Sequence, residues 1–433
     1  MNEKQSNVIR AKNANSNFGT RGWSIVILGM VMYFCSAGII VEGSNVMYPA
    51  IEAAQGLSVA GLYSMATVAN LISIPLAFLF GLMIDKVGPR KIMALSWVLG
   101  AVGLVIVAFS YNFTIYCIGR CLISLASVGG ITMAYNTLIA NWFPTKKDLI
   151  QGYATIGSNL ATAFSVIVLN ILITKFAIRS TLFIAAVACL VIASISFLCY
   201  RDNPEEVGCY PDNDTSMTKE KAAELLNIGE EYKKTSPWTI KKLLKTKQVW
   251  QIAIGFGIIL LCTVGILSTF VSTLAIKGLE TNIAISMMTV AAVIAMPCSY
   301  LWGWLGAKFG TKNASLLLYG ILALCILTML IPASWSAYIS CALLGCFIGA
   351  GNNLTPSIIA SVFGRYDFPK AMTVIIPLWN IVVSFATTIV GVPQSLTGSY
   401  VAPYIVLLIC AAIGFFLVLK LDETCIGRAD LEQ

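Results

Sequence analysis

No histidine occurs in the 433 residues. That absence removes histidine metal ligands, histidine general bases and histidine proton relays together. Charge is scarce as well: Asp, Glu, Lys and Arg make up 11% of the chain, against about 25% in soluble domains. The 13 cysteines contain no C-x-x-C pair. Short spacings such as Cys117/Cys121 read as helix packing, so neither a redox dithiol nor a metal cluster is expected. With no nucleophile constellation either, an enzyme is set aside and no cofactor is expected. The net charge of +8 would suit nucleic acid, but the basic residues are distributed over many short loops, and no nucleic-acid partner is expected.

Apolar sequence fills the chain instead. Hydrophobic residues make up 58% of it, and the mean hydropathy is +0.83. A membrane-spanning helix needs about 20 mostly apolar residues. Twelve such runs are present, at 23–46, 62–84, 92–110, 113–139, 152–173 and 181–199, then at 249–272, 283–305, 314–332, 336–361, 371–392 and 402–420. The expected fold is an all-α membrane protein of two six-helix bundles. Its segments are an N-terminal tail (1–21), a first bundle (22–200), a central loop (201–248), a second bundle (249–421) and a C-terminal tail (422–433). Residues 1–20 are polar and asparagine-rich, as in a disordered tail, and the first run is too long for a cleaved signal.

Lysine and arginine placement orients the chain. With the N-terminus inside, Lys175, Arg179 and Lys277 are the basic residues of the outer loops, and Arg120 lies within span 4. The others fall on the inner side, so both termini are expected in the cytoplasm and the protein in the cell membrane, plasma or inner. The central loop mixes acids and bases. Within it, Lys219–Lys234 suits a short amphipathic helix, and Ile240-Lys-Lys-Leu-Leu-Lys suits an interfacial one before span 7.

Gly81-Leu-Met-Ile-Asp-Lys-Val-Gly-Pro-Arg-Lys91 lies between spans 2 and 3, and a weaker copy begins at Gly303, 222 residues later. The copy keeps both glycines (Gly81/Gly303, Gly88/Gly310) and the basic positions Lys86/Lys308 and Arg90/Lys312, but Ala307 faces Asp85. Pro75 and Pro297 precede the two copies at the same offset. Such repetition speaks for two related halves.

This G-x-x-x-D-[KR]-x-G-[RK]-[RK] pattern resembles the loop signature of the major facilitator superfamily. The resemblance implies twelve spans, a small-molecule solute as partner, and rocking of two bundles about a central site. It also implies that Gly81, Asp85, Lys86, Gly88, Arg90 and Lys91 form a gating motif. In it Asp85 would meet the positive end of span 11 near Pro369-Lys370-Ala371, latching the inner side shut. Arg90, Lys91 or both would pair with Asp148. The linker edges Arg201-Asp-Asn-Pro-Glu-Glu-Val-Gly and Leu243-Leu-Lys-Thr-Lys-Gln-Val-Trp, with the span 10 run from Gly349 to Arg365, look like the oxalate–formate and monocarboxylate transporter branch.

Spans 3, 6, 9 and 12 hold no asparagine or glutamine, whereas the others carry polar groups that belong inside the bundle or at a watery cavity. Glu42, Arg120, Asn45, Asn159, Asn352, Asn353 and Asn380 are the candidates for solute binding and proton coupling. Counting helical rise places Glu42 and Arg120 both in the outer third of the membrane, within reach of an ion pair. The function expected is secondary transport of a small organic solute, a carboxylate being one class suggested, with the proton as coupling ion. A proton-independent exchanger or uniporter and a non-transporting sensor are the alternatives. A monomer in a lipid bilayer is expected.

Overall fold

The computed structural model describes residues 16–214, 218–351 and 353–424. Asn352 and most of both expected tails lie outside the described residues.

Among the described residues the chain is helical, with no strand. Span 1 runs Gly19–Ala37, widens into a π turn at Gly38–Glu42 and continues as Ser44–Gln55. Spans 2 and 3 are Val59–Val87 and Pro89–Ala108. Span 4 joins Phe113–Leu125 to Asn136–Trp142 through a π stretch, Ala126–Tyr135. Spans 5 and 6 share one run, Lys147–Cys199, cornered at Ala177 (φ 59°). The central segment holds Lys219–Thr235 and Ile240–Lys245, where the sequence expects short helices.

Spans 7, 8 and 9 are Lys247–Ile276, Thr281–Phe309 and Thr311–Leu330. Span 10 is Ser334–Ile348 and the first turns of Leu354–Ser384. Gly364, at φ 68°, ends it, and span 11 follows through Ala386–Thr397. Span 12 is Val401–Leu419. Twelve spans result. Several exceed their apolar runs: span 5 starts at Lys147 and span 11 just after Gly364. Hydropathy stops at the first charges, but a helix continues through solvated turns until something caps it.

Charged loops, the central segment and the ordered ends of the chain gather on one side of the bundle, called the loop face below. There the 222-residue repeat becomes physical. Gly88 (φ 93°) and Gly310 (φ 91°) turn span 2 into span 3 and span 8 into span 9, a backbone region that favours glycine. At each turn a carboxylate from just beyond the sixth or twelfth span meets the free N–H groups of the next helix. Asp202 accepts from Arg90 N at 2.7 Å, and Glu423 accepts from Thr311 N at 2.9 Å. Burial raises the Glu423 carboxyl above the usual range, nearby Asp148 adds to this, and the N–H bonds oppose it. Asp212 likewise accepts from Lys146 N at 3.0 Å at the start of span 5, and burial raises it too. The opposite pressure falls on the lipid-facing surface, where rows such as Val187, Val191 and Ile195, or Ile405, Ile409 and Ile413, are exposed at helical spacing.

Candidate solute cavity and loop-face closure

The two bundles meet tightly on the loop-face side. Spans 5 and 8 cross there at glycines. A Cβ on Gly303 would lie 2.5 Å from the Asp148 carbonyl oxygen and 2.9 Å from the Gly152 Cα, so the two backbones touch. Asn159 Nδ2, farther along span 5, donates to Ser299 Oγ at 2.7 Å and to the Ala295 carbonyl at 3.2 Å. Thr311 Oγ1 donates to the buried Asp148 at 2.8 Å. Spans 2 and 11 form the related crossing, with Gly81 against the Thr373 side chain and Asp85 Oδ2 3.8 Å from Lys370 Nζ. The central segment straps the joint. Arg365 forms a two-pronged bond to Glu205 at 2.8 and 2.9 Å, with both side chains nearly buried (8% and 2% exposed). Asp367 accepts from Tyr232 at 2.6 Å and Ser236 at 2.7 Å.

Beyond Asn159, away from the loop face, the bonds found between the bundles among the described residues cease, and a cavity lies between them. Its inner lobe, about 160 Å³, is lined by both halves, including Tyr33, Ser127, Asn136, Ser158, Thr355 and Trp379. A second lobe of about 350 Å³ shares Ser127 and is lined by Asn70, Ser124, Asn380 and Ser384 among others. Among the described residues, no Asp, Glu, Lys or Arg lines either lobe. The Trp379 indole N–H is buried without a protein acceptor. The π turns of spans 1 and 4 both face this space, through Ile40 and Val41 and through Ser127, Val128, Ile131 and Thr132. Such turns recur at functional sites because they leave a carbonyl without its usual helical donor.

The sequence matches the Major Facilitator Superfamily over residues 25–387. The chain belongs to this superfamily. The Escherichia coli fucose:proton symporter FucP superposes with a TM-score of 0.70 at 14% identity, covering 94% of this chain and all of that one. The human organic anion transporter MFSD10 gives 0.66 at 13% identity, covering 92% and 99%. At these identities the likeness is one of fold. By sequence, solute carrier family 22 member 6 of Oryctolagus cuniculus is 41% identical over 68 residues, which is 16% of this chain and 12% of that protein. Such alignments span only a small part of the curated relatives.

In this major facilitator fold the expected site residues separate. Glu42 ends the span 1 π turn, half-buried, and accepts from Thr162 Oγ1 of span 5 at 2.8 Å. Arg120 is buried and donates to the Ile40 carbonyl at 3.1 Å and to Ser124 Oγ at 3.2 Å. The expected Glu42–Arg120 ion pair is therefore not formed: the opened π turn offers the guanidinium a backbone carbonyl two residues short of the carboxylate. Asn380 lines the outer lobe. Asn159 and Asn353 instead brace helices, Asn353 Nδ2 donating to the Ser299 carbonyl at 3.0 Å. Asn45 is exposed.

The gating motif also differs in detail. Span 11 begins more than a turn before Lys370, so Asp85 meets a lysine side chain rather than free helix N–H groups. Arg90 and Lys91 do not reach Asp148. The Arg90 guanidinium lies 4.7 Å over the Phe197 ring, while Asp148 faces Thr311 and Gly306 across the other crossing. Offset by 222 residues, Asp148 corresponds to Lys370 as Ala307 does to Asp85. The acid missing from the second copy is thus supplied by the facing helix. Sequence reasoning missed the neutral lining (Tyr33, Ser127, Thr132, Trp379) and the Arg365–Glu205 strap. The only available signal for the strap was a pair of opposite charges in loops expected on the same side.

Proposed function

We propose that this chain is a proton-coupled secondary transporter of a small, uncharged, hydrogen-bonding organic solute, working by alternating access. The uncharged inner lobe carries this reading. An anion entering a cavity of hydroxyls, an amide and an indole would lose its hydration with no cation to replace it, whereas a polyhydroxy solute finds donors and acceptors, the unpartnered Trp379 N–H among them. The similarity in fold to a fucose:proton symporter agrees with this choice. The segment limits 22–200 and 249–421 for the two bundles, and the loop face as cytoplasmic, belong to the same reading. The basic residues clustered at that face support it. On that orientation the loop-face closure makes the structure outward-facing, and Glu42, beside the lobes and facing Thr162, is the group that takes up the proton.

A carboxylate is the second reading, and Arg120 favours it. Its two acceptors, Ile40 and Ser124, themselves line the outer lobe, so a carboxylate displacing them would meet a guanidinium. The linker resemblance to the oxalate–formate and monocarboxylate branch points the same way. Proteoliposomes holding the full chain, under an imposed pH gradient, separate the readings. Accumulation of a neutral polyol or sugar, lost in Glu42→Gln while exchange persists, supports the first. Accumulation of carboxylates alone, lost in Arg120→Lys because a point charge lacks the planar fork, supports the second.

A further inference from the structure

Outside the cavity, one surface joins exposed apolar side chains with lysines that have no partner among the described residues. It is the approach to span 7, from Trp238 to Trp250. Trp238 and Leu243 are buried, and Trp238 packs edge-to-face on Phe363 at the end of span 10 (5.5 Å). These contacts fix the short helix Ile240–Lys245 against the bundle. Ile240 and Leu244, one turn apart, are exposed at 40% and 41%, and Trp250 in the first turn of span 7 at 43%. The Trp250 indole N–H donates to the Leu244 carbonyl at 2.7 Å, joining the short helix to the span.

Lys241 and Lys245 form a second stripe, about 100° around the helix from Ile240 and Leu244. Lys247 adds a third exposed charge, and Lys242 lies over the Trp238 ring at 4.5 Å. Among the described residues none of Lys241, Lys245 or Lys247 makes an ion pair or a side-chain hydrogen bond. No acid occurs between Glu231 and Glu280.

We propose that this surface is a headgroup site for an anionic phospholipid in the leaflet at the loop face. The chemistry is complementary at each depth. The lysines face a phosphate-rich layer, the tryptophan sits where its ring and N–H straddle the interface, and Ile240 and Leu244 enter the upper acyl region. A soluble acidic protein or free phosphate would engage the lysines and leave Ile240, Leu244 and Trp250 in water. The bound lipid clamps the junction between central segment and span 7, the segment that also carries Tyr232 and Ser236 onto Asp367.

The full chain in nonionic detergent, titrated with phosphatidylglycerol or phosphatidylcholine, tests this by native mass spectrometry of retained lipid. Wild type retains phosphatidylglycerol preferentially. A lysine near an anionic surface contributes roughly fivefold, so Lys241→Gln/Lys245→Gln weakens retention roughly 25-fold, and Lys241→Arg/Lys245→Arg restores it. Lys420→Gln, an exposed lysine at the same face, leaves retention unchanged. Equal retention of the two lipids, an equal loss in Lys420→Gln, or displacement of the lipid by inorganic phosphate or by an acidic peptide overturns the proposal.

Discussion

Gly303→Ala isolates the contact that closes the loop face. The added methyl would lie 2.5 Å from the Asp148 carbonyl oxygen and 2.9 Å from the Gly152 Cα. Both are backbone atoms of a long helix, so no side chain can swing aside. Ordinary carbon contacts lie at about 3.5 Å, and spans 5 and 8 must therefore part by roughly 1 Å. Overpacking of this kind costs about 1–3 kcal/mol. The cost falls only on the state in which the two spans touch, because an opened loop face leaves the methyl free. A differential penalty of that size moves a two-state ratio by about 5–150-fold. The assay is the rate at which Ser127→Cys, in the cavity wall, reacts with an impermeant thiol reagent added from the side opposite the loop face. The background replaces the native cysteines that react. Labelling should fall as the closed population falls. Gly320→Ala, whose added methyl meets nothing within 4 Å, should label at the parental rate. Undiminished labelling in Gly303→Ala at normal protein levels would refute the reasoning, as would an equal loss in Gly320→Ala.

Four further outcomes follow from the same structure. Glu205→Gln leaves the Arg365 guanidinium buried without its charge partner, which costs about 3–5 kcal/mol when such a pair is broken, and a melting midpoint equal to wild type would deny the strap its role. Asp85→Asn removes a partly exposed pair at 3.8 Å, worth about 1 kcal/mol or less, and should slow transport by no more than several-fold. Ala307→Asp brings a second carboxylate beside the buried Asp148 and should impair closure more than Asp85→Asn does; the reverse order in the thiol-labelling assay would contradict the inverted arrangement. Lys277, held among the Thr328 carbonyl and the Ser336 hydroxyl, has its amine lowered by burial from 10.5 to about 8. The unfolded chain thus binds more protons between about pH 8 and 10.5. Lys277 therefore makes stability rise with pH across that window and fall as pH drops through 8. Lys277→Met should flatten that part of the melting curve against pH, and an unchanged slope would rule the group out.

The architecture was legible because membrane physics writes it redundantly. Apolar runs, loop charges and the repeat at Gly81 and Gly303 each lead to twelve spans in two halves, and the family match agrees. Local geometry was less legible where it turns on a single residue of register. The π turn at Gly38–Glu42 shifts a carbonyl toward Arg120, and nothing in the spacing of Glu42 and Arg120 announces it. Span 11 starts at the Gly364 corner, inside what hydropathy reads as a loop, and this changes what Asp85 touches. The cavity wall was hidden for a different reason: serine, threonine and tyrosine are common in spans, and only the packing decides that Ser127 and Thr132 face the other half while Thr137 bonds its own helix at the Met133 carbonyl. Asn159 and Asn353 drew attention as polar groups in apolar sequence, and their amide nitrogens donate to a neighbouring helix, an interhelical use common for such groups.

Alternating access through the uncharged cavity meets its sharpest test in solute counterflow. Proteoliposomes with the full chain are loaded with an unlabelled neutral polyol or sugar and diluted into the labelled solute. Wild type should take up label transiently against its gradient. Asn136→Leu, which removes an amide from the inner lobe, should weaken uptake at low solute, and Trp379→Phe should do the same by deleting the unpartnered N–H. Glu42→Gln should preserve counterflow, because exchange needs no net proton movement. Counterflow that is undisturbed by Asn136→Leu and Trp379→Phe, or that is absent in Glu42→Gln, would contradict the cavity and coupling assignments together.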